Sequence, residues 1–174
     1  MTTQVKAPTR LIDVGTESLP SLRLVETATD MILDSEYIAL SHPWGDIRSY
    51  TPFSTLRIDR SGGGRDLAHF KVAIPEDQLP ATFKDAVICT RRLGVRYLWI
   101  DSLCILQGID GDFNDEAKKM EDVYTGAYCV LAASRANSQL DGFLKSRPQR
   151  DYITFQRHAE KPFFVCETID HFSR

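Results

Sequence analysis

The sequence predicts an α/β fold in which helices flank a central, mostly parallel sheet. Three apolar segments of strand length, at residues 37–41, 95–100 and 128–133, alternate with two segments of helical periodicity. That alternation is typical of a parallel sheet with right-handed crossovers. The chain has 174 residues, of which 43% are hydrophobic and 26% are charged, enough for one domain with a buried core.

Two short strand-like runs come before the first of these segments. Residues 10–14 and 22–26 flank a turn that begins at Gly15 and ends at Pro20, a pattern that predicts a β-hairpin at the edge of the domain. Residues 37–41 are nearly all apolar, which indicates a central strand covered on both faces. Residues 47–77 show no periodicity, and we expect them to be irregular.

The clearest helix begins at Leu79-Pro80, since proline is tolerated in a first turn. Gly94 follows two arginines and is the expected stop of this helix. One face of it carries the less polar residues at helical spacing: Phe83, Ala86, Val87, Thr90 and Leu93.

The second half of the chain repeats the pattern. Residues 95–100 predict a second buried strand, and a helix is expected from its N-cap Asp112 to Gly126. Residues 128–133 then predict a third buried strand. Further on, residues 152–155 and 163–167 predict a second β-hairpin.

Composition excludes several classes of function. The net charge of −3 does not favour nucleic-acid binding, and no apolar run is long enough to span a bilayer. The four cysteines and four histidines have no metal-ligand spacing, so we expect no metal and no tightly bound cofactor. Cysteines within apolar strings indicate a reduced protein, which we expect to be cytoplasmic.

Three segments carry a resemblance to a known family. They are residues 37–46 (YIALSHPWGD), residues 79–107 with the run RYLWIDSLCILQ, and residues 112–127, with Asp141-Gly142-Phe143 and Arg147 downstream. In this order and spacing they resemble the signature blocks of fungal heterokaryon-incompatibility (HET) domains. Phe113 is a departure, since the family usually has Trp there. Phe113 conserves aromatic packing, so we expect the fold to be retained.

The resemblance implies a single HET domain over residues 1–174, with its core at about residues 10–148, and we expect it to be the N-terminal part of a longer protein. HET domains trigger programmed cell death when incompatible hyphae fuse. They are often joined to a sensor or oligomerising region, so a homo-oligomer or a sensor partner is expected. They are also distantly similar to Toll/interleukin-receptor (TIR) domains, which implies a flavodoxin-like sheet.

Some TIR domains cleave NAD, and others only assemble, which leaves two hypotheses. As an NAD-cleaving hydrolase, the chain would use Glu116 or Asp101 as the catalytic carboxylate, with NAD as substrate. The substrate-binding candidates follow the predicted strand ends or are expected to contact NAD: Ser41, Trp44, Gly45, Asp46, Ser102, Cys104, Gln107 and Arg147.

The alternative is an assembly module without chemistry, signalling through self-association or a partner. Under that hypothesis Trp44, Trp99, Tyr124 and Phe143 pack a core or an interface. Asp101 caps a turn, and Glu116 is an ordinary acid of a first helical turn. The residues themselves do not decide between the two hypotheses.

Overall fold

A five-stranded mixed sheet forms the centre of the computed structural model, which describes residues 7–32, 35–146, 152–155 and 163–166. The strands lie in the order β2-β1-β4-β3-β5. Their bounds are β1 Arg10–Gly15, β2 Pro20–Glu26, β3 Tyr37–Ser41, β4 Tyr97–Trp99 and β5 Cys129–Ala132. The helices are α1 Leu67–Val72, α2 Ala81–Arg92, α3 Asp101–Cys104, α4 Phe113–Glu116 and α5 Met120–Gly126, with 3₁₀ turns at Glu76–Gln78 and Ala117–Lys119.

The three predicted core strands are parallel to one another. β3 pairs with β4 on one side and with β5 on the other, and both pairings are parallel. β1 instead pairs antiparallel with β2 and with β4. The α/β prediction is therefore confirmed, but the sheet is mixed rather than mostly parallel, because β1 and β2 extend the same sheet beyond β4.

Helix α2 supports the sheet close to where the sequence predicts a helix. Pro80 precedes it, its buried face includes Phe83 and Val87, and Gly94 follows it with a φ of +73°. This left-handed conformation suits glycine, which lacks a Cβ. The second predicted helix, from Asp112 to Gly126, is divided into α4, a 3₁₀ turn and α5.

Two local expectations are wrong. Residues 128–133 do not form a fully buried strand, since Tyr128 is 62% exposed and Val130 is 44% exposed. The reason is position: β5 is the edge strand, and an apolar run does not reveal whether neighbours cover it. Residues 47–77 also contain helix α1, which Asp66 caps by accepting a hydrogen bond from the His69 amide at 3.0 Å.

The chain divides into two compact units, residues 1–144 and 145–174. The first contains the five-stranded sheet. In the second, β6 (Tyr152–Phe155) pairs antiparallel with β7 (Phe163–Cys166). Among the described residues, no helix is both long and apolar enough to cross a membrane.

Candidate functional site

The register of the parallel strands brings two sequence-distant polar segments to the same edge of the sheet. Ile38 is opposite Leu98 and Ala39 is opposite Trp99. Because β3 and β4 are parallel, their carboxyl ends lie side by side. The segments that follow these strands, at residues 41–46 and 101–107, therefore leave the sheet at one level. Ligands of open α/β sheets bind at this edge.

A short hydrogen bond joins two of the predicted site residues there. The Trp44 indole Nε1–H donates to Asp101 Oδ2 at 2.6 Å. The Ser102 amide donates to Asp101 Oδ1 at 2.7 Å. Both oxygens of the carboxylate thus accept from N–H groups, which fix its orientation. The side chain is 19% exposed, so Asp101 retains access to solvent.

His42 lies against the same carboxylate, although no sequence motif predicts a role for it. Its side chain is only 1% exposed, and Nδ1 lies 3.8 Å from Asp101 Oδ1. Burial lowers the pKa of His42 below its ordinary value, while the Asp101 carboxylate acts in the opposite direction. One signal could have revealed this contact, since His42 follows β3 directly and so belongs to the same edge as Asp101.

The segment that follows β5 packs against the loop of Trp44. Gly45 has a φ of +78°, and a Cβ placed on it would lie 2.6 Å from Ser138 Cβ. Nearby, the Phe53 amide donates to Gln139 Oε1 at 2.9 Å, and the Gln139 side chain is fully buried. Tyr50 donates its hydroxyl hydrogen to the Trp44 carbonyl oxygen. The loop of Trp44 is therefore held by segments distant in sequence.

The heterokaryon incompatibility protein (HET) family model matches residues 37–164, well over half of the chain. The chain belongs to the HET family. This match confirms the resemblance drawn from the sequence. No curated protein and no solved structure matches the chain, so the similarity to TIR domains stays a prediction.

Several binding candidates of this HET domain show no hydrogen bond or ion pair to the Trp44–Asp101 pair among the described residues. Asp46 is bound by Arg48 of its own loop at 2.9 Å, and hydrogen bonds from Arg48 lower the pKa of Asp46. Ser41 ends β3 and is exposed. Gln107 bonds the Ile105 carbonyl at 3.1 Å and lines an open cleft of about 430 Å³ between residues 56–65 and 107–110. Arg147 lies outside the described residues.

Ser102 and Cys104 are buried beneath the edge. The Ser102 hydroxyl has no hydrogen-bond partner in the part of the chain that the structure describes, whereas its backbone amide donates to Asp101. Burial raises the pKa of the Cys104 thiol to about 12. A thiol that stays protonated is a poor nucleophile, so the geometry favours packing for Cys104.

Glu116 occupies a different part of the edge. Its carboxylate accepts from Lys119 Nζ at 2.7 Å and from the Thr9 hydroxyl at 2.8 Å. The residue is buried, and its charge is offset by the adjacent ammonium group. No hydrogen bond or ion pair among the described residues links Glu116 to Trp44 or Asp101.

Beside Glu116, Arg10 connects the start of β1 to the segment after β4. It donates to the Cys104 carbonyl at 2.6 Å and forms an ion pair with Asp112. Asp112 also accepts from the Leu106 amide at 2.9 Å. Asp112 precedes α4 as predicted, but its side chain makes no cap bond to that helix because it binds these groups instead. This region has the features of a structural cluster.

Proposed function

We propose that this HET domain triggers programmed cell death after fusion of incompatible cells, and that it does so by hydrolysing NAD. The observation that carries the proposal is the Asp101 carboxylate, oriented by the Trp44 indole at 2.6 Å at the carboxyl edge of parallel strands. A partly exposed carboxylate beside an aromatic ring suits a substrate that combines a ribose with flat bases.

The strand order supports a flavodoxin-like arrangement of this part of the sheet. Among the parallel strands, β3 comes first in the chain and lies between β4 and β5. Across the sheet, the second, first and third of these strands in chain order are neighbours, as are the first three strands of flavodoxin-like sheets. Those sheets bind ligands at the point where the connections from adjacent strands run in opposite directions. In this chain that point is the carboxyl end of β3, from which the His42–Trp44 segment leaves.

The proposed reaction breaks the bond between the ribose anomeric carbon and the nicotinamide nitrogen. The pyridinium nitrogen keeps the bonding electron pair and leaves as neutral nicotinamide, so no general acid is needed. Water adds to the anomeric carbon and releases a proton to solvent. The ribose gains oxocarbenium character in between, and Asp101 would stabilise that positive charge.

Asp101 suits this role better than Glu116. The groups on Asp101 are neutral N–H donors, which leave its negative charge available to a developing cation. Glu116 is paired with the Lys119 ammonium and is less accessible. An enzyme that used Glu116 would first have to break that ion pair.

The test is NAD consumption by the purified chain at high protein concentration. We expect turnover in the wild type, loss of it in Asp101→Asn, and retention in the matched control Glu116→Gln. Both substitutions replace a carboxylate with an amide of nearly the same shape, and circular dichroism verifies folding. Loss in Glu116→Gln alone would assign the reaction to Glu116.

One observation favours a second candidate function, an assembly module. β5 is the edge strand of its sheet, and Tyr128 and Val130 expose apolar surface beside it. Unpaired strand edges accept a further strand from another chain. If the chain is an assembly module, the wild type consumes no NAD even when its copies are brought together at high concentration. Val130→Lys then weakens self-association in sedimentation velocity experiments.

A further inference from the structure

His42 has a buried side chain with two ring nitrogens, each of which can form a hydrogen bond. Among the described residues, neither Nδ1 nor Nε2 has a hydrogen-bond partner, although the side chain is 1% exposed. Leaving such a group unpaired is unfavourable, because it loses its hydrogen bonds to water and gains none in the protein. Buried orphan groups in native proteins need an explanation, and a functional role is one of the recurring explanations.

The position of the ring is defined by its neighbours. The imidazole and the Phe83 ring form a T-shaped contact, with ring centroids 5.1 Å apart and planes at 90°. Nδ1 faces Asp101 Oδ1 at 3.8 Å, beyond the range of a hydrogen bond. Asp101 accepts one hydrogen bond from Trp44 and one from Ser102. A carboxylate has about four acceptor sites, so Asp101 can accept a further hydrogen bond.

We propose that His42 is a positioning residue for Asp101. Its neutral imidazole carries the proton on Nδ1 and presents it to Asp101 Oδ1, and a movement of about 1 Å on substrate binding completes the hydrogen bond. His42 then holds the carboxylate against the ribose together with Trp44. This inference rests on the role that the proposed function gives to Asp101.

The charges around His42 agree with a neutral ring. Asp101, at the start of α3, is the charged group of the described residues that acts on its pKa, and Phe83 of helix α2 contributes an apolar ring. Burial outweighs Asp101 and lowers the pKa of His42. Asp101 also adds to the effect of burial in raising the pKa of Tyr124, a partly buried neighbour.

The test uses nuclear magnetic resonance on the full chain and needs no turnover. Imidazole ¹⁵N shifts report the tautomer, and we expect the Nδ1–H form for His42. In Asp101→Asn, loss of the negative charge should lower the pKa of His42 further, by about one pH unit or more at this separation. An Nε2–H tautomer in the wild type, or an unchanged pKa in folded Asp101→Asn, would overturn the proposal.

Two variants separate positioning from packing. His42→Asn keeps an N–H donor near the place of Nδ1, whereas His42→Gln moves it toward the place of Nε2. We expect the Trp44 indole N–H resonance, a reporter of its bond to Asp101, to move more in His42→Gln. His42→Asn should also retain the larger share of NAD turnover. The reverse order in both readouts would contradict a role for Nδ1.

The two proposals fail in different ways. A wild-type chain without NAD turnover but with the Nδ1–H tautomer and the Asp101-dependent pKa refutes the reaction and supports the His42–Asp101 pairing. Turnover that depends on Asp101 together with an Nε2–H tautomer refutes the pairing and supports the reaction.

Discussion

Replacing Gly45 with alanine tests how closely the loop of Trp44 must approach the segment after β5. Gly45 has a φ of +78°, and its added Cβ would lie 2.6 Å from Ser138 Cβ. Gly94 is the matched control, because its φ of +73° is nearly the same and a Cβ there would meet nothing within 4 Å. The two substitutions share the backbone strain, and only Gly45→Ala adds a collision.

The expected magnitudes follow from these two differences. Placing alanine in the left-handed region costs about 1–2 kcal/mol, which is the whole expected effect for Gly94→Ala. Forcing an atom into a packed contact adds about 1–3 kcal/mol for Gly45→Ala. For a chain of this size each kcal/mol lowers the melting temperature by roughly 2–4 °C.

Urea denaturation followed by circular dichroism measures both variants against the wild type. The free energy of unfolding should fall more for Gly45→Ala than for Gly94→Ala, with similar denaturant dependence. The Trp44 indole resonance should also move in Gly45→Ala and stay in place in Gly94→Ala. Equal loss of stability in the two variants would refute the close approach of Gly45 to Ser138.

Three further outcomes are expected. Hydrogen bonds from Arg96 and the Gly15 amide outweigh burial and hold the pKa of Asp13 below its usual value. The associated stability is present above about pH 4 and is lost as the pH falls through the folded-state pKa, so Asp13→Asn should flatten the acid limb of a pH–stability curve. A limb of unchanged slope would contradict this pairing. Cys104, which is buried and has its pKa raised to about 12, should resist alkylation until the chain unfolds, as peptide mass spectrometry would show. Lys119→Met should lower the free energy of unfolding, measured in urea, by on the order of 2 kcal/mol, because buried Glu116 loses its cation. An unchanged free energy of unfolding would contradict a stabilising role for this ion pair.

Local patterns in the sequence were sufficient for the elements that depend on local physics. Helix α2 has the bounds expected from its apolar face, with Pro80 before it and Gly94 after it. Strands β3 and β4 form within apolar runs, and the residues that follow them meet at one edge because parallel strands share a direction. Since ligand-binding residues follow the carboxyl ends of parallel strands, the sequence predicts that Trp44 and Asp101 lie at the same edge of the sheet.

Long-range packing decided what these patterns could not. The exposure of β5 depends on which strand lies at the edge, and the pairing of Glu116 with Lys119 and Thr9 depends on where β1 begins. Asp112 resembled a helix cap but binds Arg10, which is about a hundred residues away in the sequence.

The sequence by itself determined the family, the α/β class and the edge of the sheet at which polar residues gather, because these follow from periodicity, turn residues and motif spacing. Only the tertiary structure decided that Asp101 accepts from Trp44, that His42 lies buried against it, and that Glu116 lies apart. The physical reason is that hydrogen bonds and burial change when the distance between two segments changes by a few tenths of an ångström, and no local pattern encodes the distances between segments far apart in the chain.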